Sequence, residues 1–264
     1  MPYASDKFNT FYSLKKINDK NPIIFVHGVG LTNQMWYPQV DFFKNYNVLT
    51  YDLLGHGNTP LNKTQLKIDD FSNQLLNLID ELNFNKIHLV GFSLGSLIAR
   101  HFASEHNDRL CSLILHGSIY KRTEEQNRVV QNRYELIKMN KPVAKQSALR
   151  RWFTESFINN NAEIYKKIYL ILDKNEHKNL LKSYKIFVYY NDDDSMIKKI
   201  KVNTLITTGE NDVGSTPEMA KNLSSQIKNS KFIKIKKGKH LCNIECDKDF
   251  NKILEKFIDE NYEC

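Results

Sequence analysis

The sequence predicts an α/β fold in which one mostly parallel sheet is covered by helices, and three observations predict it. From residue 10 onward, short apolar and β-branched runs alternate with longer amphipathic stretches. Residues 119–195 keep the helical pattern but contain no strong strand. One strand pattern also runs directly into Gly91-Phe92-Ser93-Leu94-Gly95 before an amphipathic stretch begins.

Taken in order, residues 10–16 read as a leading antiparallel strand. Core strands follow at 23–26, 48–51, 87–91, 113–115, 204–207 and 232–236. Helical spacing of apolar residues marks 36–43, 68–82, 94–106, 217–227 and 250–258, with Thr216-Pro217 capping the fourth of these. Within 119–195 the helical patterns fall at 127–139, 142–153, 162–172 and 177–189. The interval reads as a helical insertion between two halves of one sheet, with the core at 1–118 and 196–264. No internal repeat or low-complexity tract is evident.

The chain has 264 residues, 41% of them hydrophobic, enough for one sizeable core. Its 38 Lys+Arg against 30 Asp+Glu give a formal charge of +8. That excess is scattered lysine. The densest run, 231–239, reads as a strand with Ile233 and Ile235 toward a core and Lys234 and Lys236 toward solvent. No helix-turn-helix, zinc finger or aromatic-basic platform accompanies it, so no nucleic-acid partner is expected. Cysteines at 111, 242, 246 and 264 are too few and too irregular for a stapled scaffold or a four-cysteine zinc site, and reduced thiols are expected. The start, Met1-Pro2-Tyr3-Ala4-Ser5-Asp6-Lys7, lacks the features of a signal peptide, and no segment reaches the ~18 apolar residues of a membrane span. A cytoplasmic protein with no membrane partner is the expectation.

The strand–Gly-x-Ser-x-Gly–helix junction is the first chemical signal. A strand that turns abruptly into a helix holds the serine in a strained conformation with its hydroxyl exposed, and the glycines leave room where side chains would clash. The helix N-terminus adds free N–H groups. Upstream, Phe25-Val26-His27-Gly28-Val29-Gly30 is a strand ending in a glycine-flanked turn. The backbone N–H groups of Val29 and Leu94 are the candidate pair of donors for an oxyanion; against this stands the reading that these glycines merely end a strand.

A serine hydroxyl needs a base, and the base needs a carboxylate to fix its tautomer. Histidines lie at 27, 56, 88, 101, 106, 116, 177 and 240. His88 lies inside a strand, His116 at a strand end, His101 and His106 on a helix and His177 in the insertion. His27 and His56 sit in glycine turns, where a ring more often bonds backbone. His240 alone follows the last strand. For the acid, Asp212 in Gly209-Glu210-Asn211-Asp212 is favoured, with Glu210 in reserve. The catalytic candidates are therefore Ser93, Asp212 and His240.

In these residues the chain resembles the α/β-hydrolase superfamily over about 22–118 and 203–258. Tyr51-Asp52-Leu53-Leu54-Gly55-His56-Gly57-Asn58-Thr59 is similar to the superfamily's D-x-x-G-x-G-x-[ST] turn. More narrowly, Arg151-Trp152-Phe153-Thr154-Glu155-Ser156-Phe157, Gly209 to Met219 and His240-Leu241-Cys242-Asn243-Ile244-Glu245 resemble the 3-oxoadipate enol-lactonase group. Ser96 stands where a second glycine is common and Cys242 where serine often follows. The resemblance implies an α/β-hydrolase fold in which 119–195 forms a helical cap, or lid, over the site. It further implies hydrolysis of a small carboxylic ester or lactone through an acyl-enzyme, with no cofactor and no metal. Arg151 and Trp152 are candidates to hold a substrate's carboxylate and ring, or else a solvated arginine and a packing tryptophan. Alternatives are carbon–carbon or thioester hydrolysis with the same triad, and a ligand-binding protein without catalysis. Oligomeric state is left open.

Overall fold

The computed structural model describes residues 3–139, 142–262 and 264; Met1 and Pro2 of the leading stretch lie outside it. The elements in chain order are β1 (Tyr12–Lys15), β2 (Ile23–Val26), α1 (Tyr37–Phe42), β3 (Val48–Tyr51), α2 (Ile68–Glu81), β4 (Ile87–Phe92), α3 (Leu94–Glu105) and β5 (Leu110–His116). Then come α4 (Glu124–Lys138), α5 (Pro142–Trp152), α6 (Glu155–Asn160), α7 (Ala162–Asp173), α8 (His177–Val188) and α9 (Asp194–Ile197). The chain closes with β6 (Thr204–Gly209), α10 (Pro217–Ser224), β7 (Ser230–Ile235), α11 (Cys242–Glu245) and α12 (Asp247–Asp259).

The seven strands lie in the order β1-β3-β2-β4-β5-β6-β7, with only β1 antiparallel to its neighbour. Strands β2 to β6 are buried along their whole length, as a parallel sheet covered on both faces requires. Alternate residues divide between two cores. Ile24, Val26, Leu89 and Leu115 join the core under α2 and α3, while Ile23, Phe25, Val90 and Ile114 join the core under α1 and α12. The chain runs from β2 to β3 on one side and returns to place β4 on the other. The order therefore reverses between β2 and β4, and a crevice opens at their carboxyl ends.

Helix α3 is buried almost all round, since it packs on the sheet beside α2. Its Arg100 is 2% exposed and is held by Asp192 at 2.6 Å and the Ile119 carbonyl at 3.2 Å. Thr216 caps α10 by accepting the Met219 N–H at 3.2 Å, with Pro217 in the first turn. The four helical patterns read in 119–195 correspond to α4, α5, α7 and α8. The short α6, α9 and α11 carry too few turns to show a period.

Three expectations are corrected. Strand β5 spans seven residues, not three, because its polar members find partners across the sheet. The Ser112 hydroxyl lies 2.9 Å from His88 Nδ1, and His116 Nδ1 lies 2.9 Å from the Thr207 hydroxyl. Ile233 is exposed rather than turned into the core, because β7 is the edge strand. The four cysteines are not all reduced: Cys111 and Cys264 are joined, 153 residues apart in sequence, and Cys242 and Cys246 are free. Such a separation gives no pairing signal in the sequence. No described helix is long and apolar enough to cross a membrane.

Burial lowers the titration of His56 and His88 to about 4 and of His116 to about 3. These rings stay neutral in the fold, whereas in the unfolded chain they charge below about pH 6.5. The unfolded state therefore binds more protons as pH falls from about 6.5 toward 4, and stability drops over that window; above it these groups contribute nothing. Replacing His88 with Leu is expected to flatten the loss by up to about 1.4 kcal/mol per pH unit between pH 6 and 4.5. Denaturant melts across that range check it, and an unchanged slope would remove His88 from the account.

Candidate active site

The crevice at the ends of β2 and β4 leads into a cavity of about 260 Å³. Strand β4 ends at Phe92, and Ser93 follows with φ 54° and ψ −113°, a positive φ that a residue with a side chain rarely adopts. The turn is this tight because α3 must start at once and lie against the sheet. A methyl group on Gly95 would collide with the carbonyl oxygens of Val26 and His27, and one on Gly91 with that of Gly95. Ser93 is 5% exposed and lines the cavity.

After β2, residues 28–31 form the facing wall. His27 fixes this turn: its Nε2 accepts the Leu53 N–H at 3.0 Å, and its Nδ1 donates to the Gly28 carbonyl at 2.8 Å. Desolvation, followed by the nearby His56, holds the His27 ring neutral. The Asp52 carboxylate ties the same wall to the turn after β3 by accepting N–H bonds from Asn33 at 2.8 Å and Asn58 at 2.9 Å. Burial pushes the Asp52 carboxyl upward, against the pull of those two amides. Among the described residues, neither the Val29 nor the Leu94 N–H donates to a protein acceptor. Val29 lines the cavity, while the Leu94 side chain is buried in the core and only its backbone belongs to the turn.

His240 follows β7 and Asp212 follows β6. His240 Nδ1 lies 2.6 Å from Asp212 Oδ2, and both residues line the cavity with Ser93. Burial works to raise the Asp212 carboxyl, but the His240 charge and hydrogen bond and the Ser215 and Gly214 amides outweigh it and hold the group below its ordinary range. Those amides donate to Oδ1 at 3.0 and 2.8 Å, leaving Oδ2 for the histidine. Glu210 is turned away: it is exposed, pairs with Lys234 at 2.9 Å and accepts the Lys237 N–H at 3.1 Å. The His240 ring is wedged between Phe92 at 4.8 Å and Trp152 at 6.3 Å between centroids, and the Trp152 carbonyl accepts the Leu241 N–H at 3.0 Å. Such an arrangement can fix the orientation of the imidazole, with Nδ1 turned to the carboxylate. Arg151 and Trp152 line the same cavity.

The alpha/beta hydrolase fold family matches residues 21–147. Over 98% of this chain and 100% of its own, the structure of the enol-lactonase from Burkholderia xenovorans LB400 superposes with a TM-score of 0.89 at 23% identity. This chain has the α/β-hydrolase fold. A thermophilic esterase from Thermogutta terrifontis is also similar, with a TM-score of 0.86 and 21% identity, covering 99% of this chain and 98% of that one. Among curated relatives in Acinetobacter baylyi, an (E)-2-((N-methylformamido)methylene)succinate hydrolase is 28% identical over 243 residues, 90% of either chain. In the same organism, 3-oxoadipate enol-lactonase 2 is 26% identical over 240 residues, 90% of this chain and 88% of that one.

Sequence reasoning missed several groups around the cavity of this α/β-hydrolase-fold protein, chiefly Arg122, Arg133 and Tyr184. Nothing in their spacing separates these arginines from the other basic residues. Away from the cavity, Asp69, His101 and Glu105 are the one cluster among the described residues with the composition of a metal site. Both carboxylates are exposed, and His101 Nε2 lies 2.8 Å from Asp69 and 3.4 Å from Glu105, a cluster at the protein surface.

The turn can be tested apart from any chemistry. Gly95→Ala is expected to cost at least about 1–3 kcal/mol, because the added methyl meets backbone that cannot move aside. Ser96→Ala, one residue on, removes a buried hydroxyl with no partner among the described residues and should change stability by less than about 1 kcal/mol. Urea melts of the two variants check this, and equal costs would contradict the close packing at Gly95.

Proposed function

We propose that this protein hydrolyses a small carboxylic ester or lactone, with Ser93 as nucleophile, His240 as general base and Asp212 as the group that orients the histidine. The observation that carries the reading is the 2.6 Å bond between His240 Nδ1 and Asp212 Oδ2 in the same cavity as the strained Ser93. The fold and the hydrolase names borne by its relatives support it.

In this mechanism His240 Nε2 takes the Ser93 proton as Oγ bonds to the substrate carbonyl carbon. The carbonyl π pair moves onto oxygen, where the Val29 and Leu94 N–H groups receive it; losing one such donor typically costs 10²–10³ in rate. The pair returns, the bond to the leaving oxygen breaks, and that oxygen takes the proton from His240. A water deprotonated by the same nitrogen then attacks the acyl-enzyme, and the acid leaves with Ser93 reprotonated. Helices α4 to α8, from the segment 119–195, act as the cap, with Trp152 packing against the base and the cap residues setting specificity.

A fluorophosphonate probe should label the protein at Ser93, as mapped by mass spectrometry of the labelled peptide. Ser93→Ala should lose the label and at least about 10³-fold of the turnover of p-nitrophenyl acetate and a lactone panel, and Asp212→Asn should lose about 10³–10⁴-fold. An unlabelled Ser93, with the alanine variant as active as wild type, would sink the proposal.

A further inference from the structure

Three arginines converge at the cap end of the cavity, and among the described residues none of them is ion-paired. Arg122 precedes α4, Arg133 lies on α4 and Arg151 on α5, and all three line the cavity with Tyr184 of α8. Burial pushes the Tyr184 hydroxyl up, and Arg133, Arg151 and Arg122 each pull against it, so all three charges are felt at one point.

Arg122 and Arg151 are positioned by contacts with neutral groups, which leave their charges unspent. Arg122 Nη1 donates to the carbonyls of Phe187 at 2.9 Å and Val188 at 3.2 Å, at the C-terminal end of α8, and its guanidinium carbon lies 4.4 Å from the centre of the Phe187 ring. Its Nη2 is buried with no partner among the described residues. Arg151 Nη1 donates to the Ser147 hydroxyl at 3.0 Å, one turn back on α5. Burial first, and Arg133 second, lowers the titration of Arg151 to about 10. Arg122 is likewise lowered to about 10, chiefly by burial. Among the described residues, no carboxylate lies within ion-pair distance of any of the three.

Partly buried positive charge without a counter-ion is costly unless a ligand supplies one. The other charged side chains on this part of the lining are Lys145, already paired with Asp173, and Glu125. Three arginines against one glutamate leave two positive charges unbalanced. Val129, Val130, Ile137 and Phe187 add apolar surface to the same lining, beside the polar Gln126 and His177.

We propose that Arg122, Arg133 and Arg151 form one anion-binding subsite, and that the ester or lactone cleaved at Ser93 is a dianion carrying two carboxylates on a short apolar frame. The substrate class rests on the hydrolase reading; the subsite itself does not. Guanidinium forks suit carboxylates because they offer paired N–H donors in one plane. Loss of one such charged hydrogen-bonding group should weaken binding about ten- to a hundredfold.

The test uses the full-length protein and unreactive probes. Calorimetric titration with the dicarboxylates from succinate to pimelate should find at least one that binds. Its monoamide should bind at least about tenfold more weakly, and its diamide should not register. Arg122→Gln and Arg133→Gln should each weaken the dicarboxylate about tenfold or more, with thermal melts verifying that the variants are folded. If one variant does not fold, the other and the wild-type ligand series still decide. No binding by any dicarboxylate, or equal binding of diacid and diamide, overturns the subsite. Fluorophosphonate labelling of Ser93 separates the two readings: a labelled protein indifferent to dianions keeps the hydrolase and loses the subsite. An unlabelled protein with arginine-dependent dianion binding does the reverse.

Discussion

The close approach of α3 to the carboxyl end of the sheet is the constraint on which the rest of the structure depends. It requires residues 91 and 95 to have no side chain, because the Gly95 backbone lies against Gly91 and against the carbonyls of Val26 and His27. With the helix this close, the chain between Phe92 and Leu94 has one residue in which to turn, and Ser93 takes the positive φ. The strain, about 1–3 kcal/mol for such a residue, is held by the buried strand β4 before it and the buried helix α3 after it.

From that junction outward, the surroundings are fixed by buried polar groups, each with a definite task. His27 and Asp52 fasten the turn after β2 to the turn after β3, through Leu53 on one side and Asn33 and Asn58 on the other. Thr207 and Ser112 hold the rings of His116 and His88 within the sheet. The Ser215 and Gly214 amides occupy one oxygen of Asp212 and so direct the other to His240. Several buried histidines thus serve as neutral sheet and turn fasteners, with burial lowering the titration of His56, His88 and His116.

The fold was largely legible because its strongest signals are local. Apolar runs such as Ile23-Ile24-Phe25-Val26 and the glycines around Ser93 report their own geometry, and Asp212 and His240 each follow a strand at the end of the sheet where Ser93 lies. What the sequence hid was pairing at a distance. The polar residues of β5 looked like strand ends until His88 and Thr207 stood opposite them. Cys111 and Cys264 gave no sign of meeting, and Ile233 could not be known to sit on an edge. Arg151 drew notice through the phrase around it, but Arg122 and Arg133 became visible only when two helices and a loop brought them to one phenol.

The segment that carries these arginines joins the sheet through two chain crossings, after β5 and before β6. The groups that fasten the turn at Ser93, by contrast, lie at the carboxyl ends of β2, β3 and β4 and in the first turn of α3. Inherited substitutions in the two regions therefore have separate consequences. Drift among α4, α5 and α8 can exchange one charge preference for another while the turn stays intact, whereas drift at Gly91, Gly95 or Asp52 meets backbone that has no second arrangement. Lineages descended from such a chain would be expected to diversify in what they accept while remaining nearly invariant in how Ser93 is held.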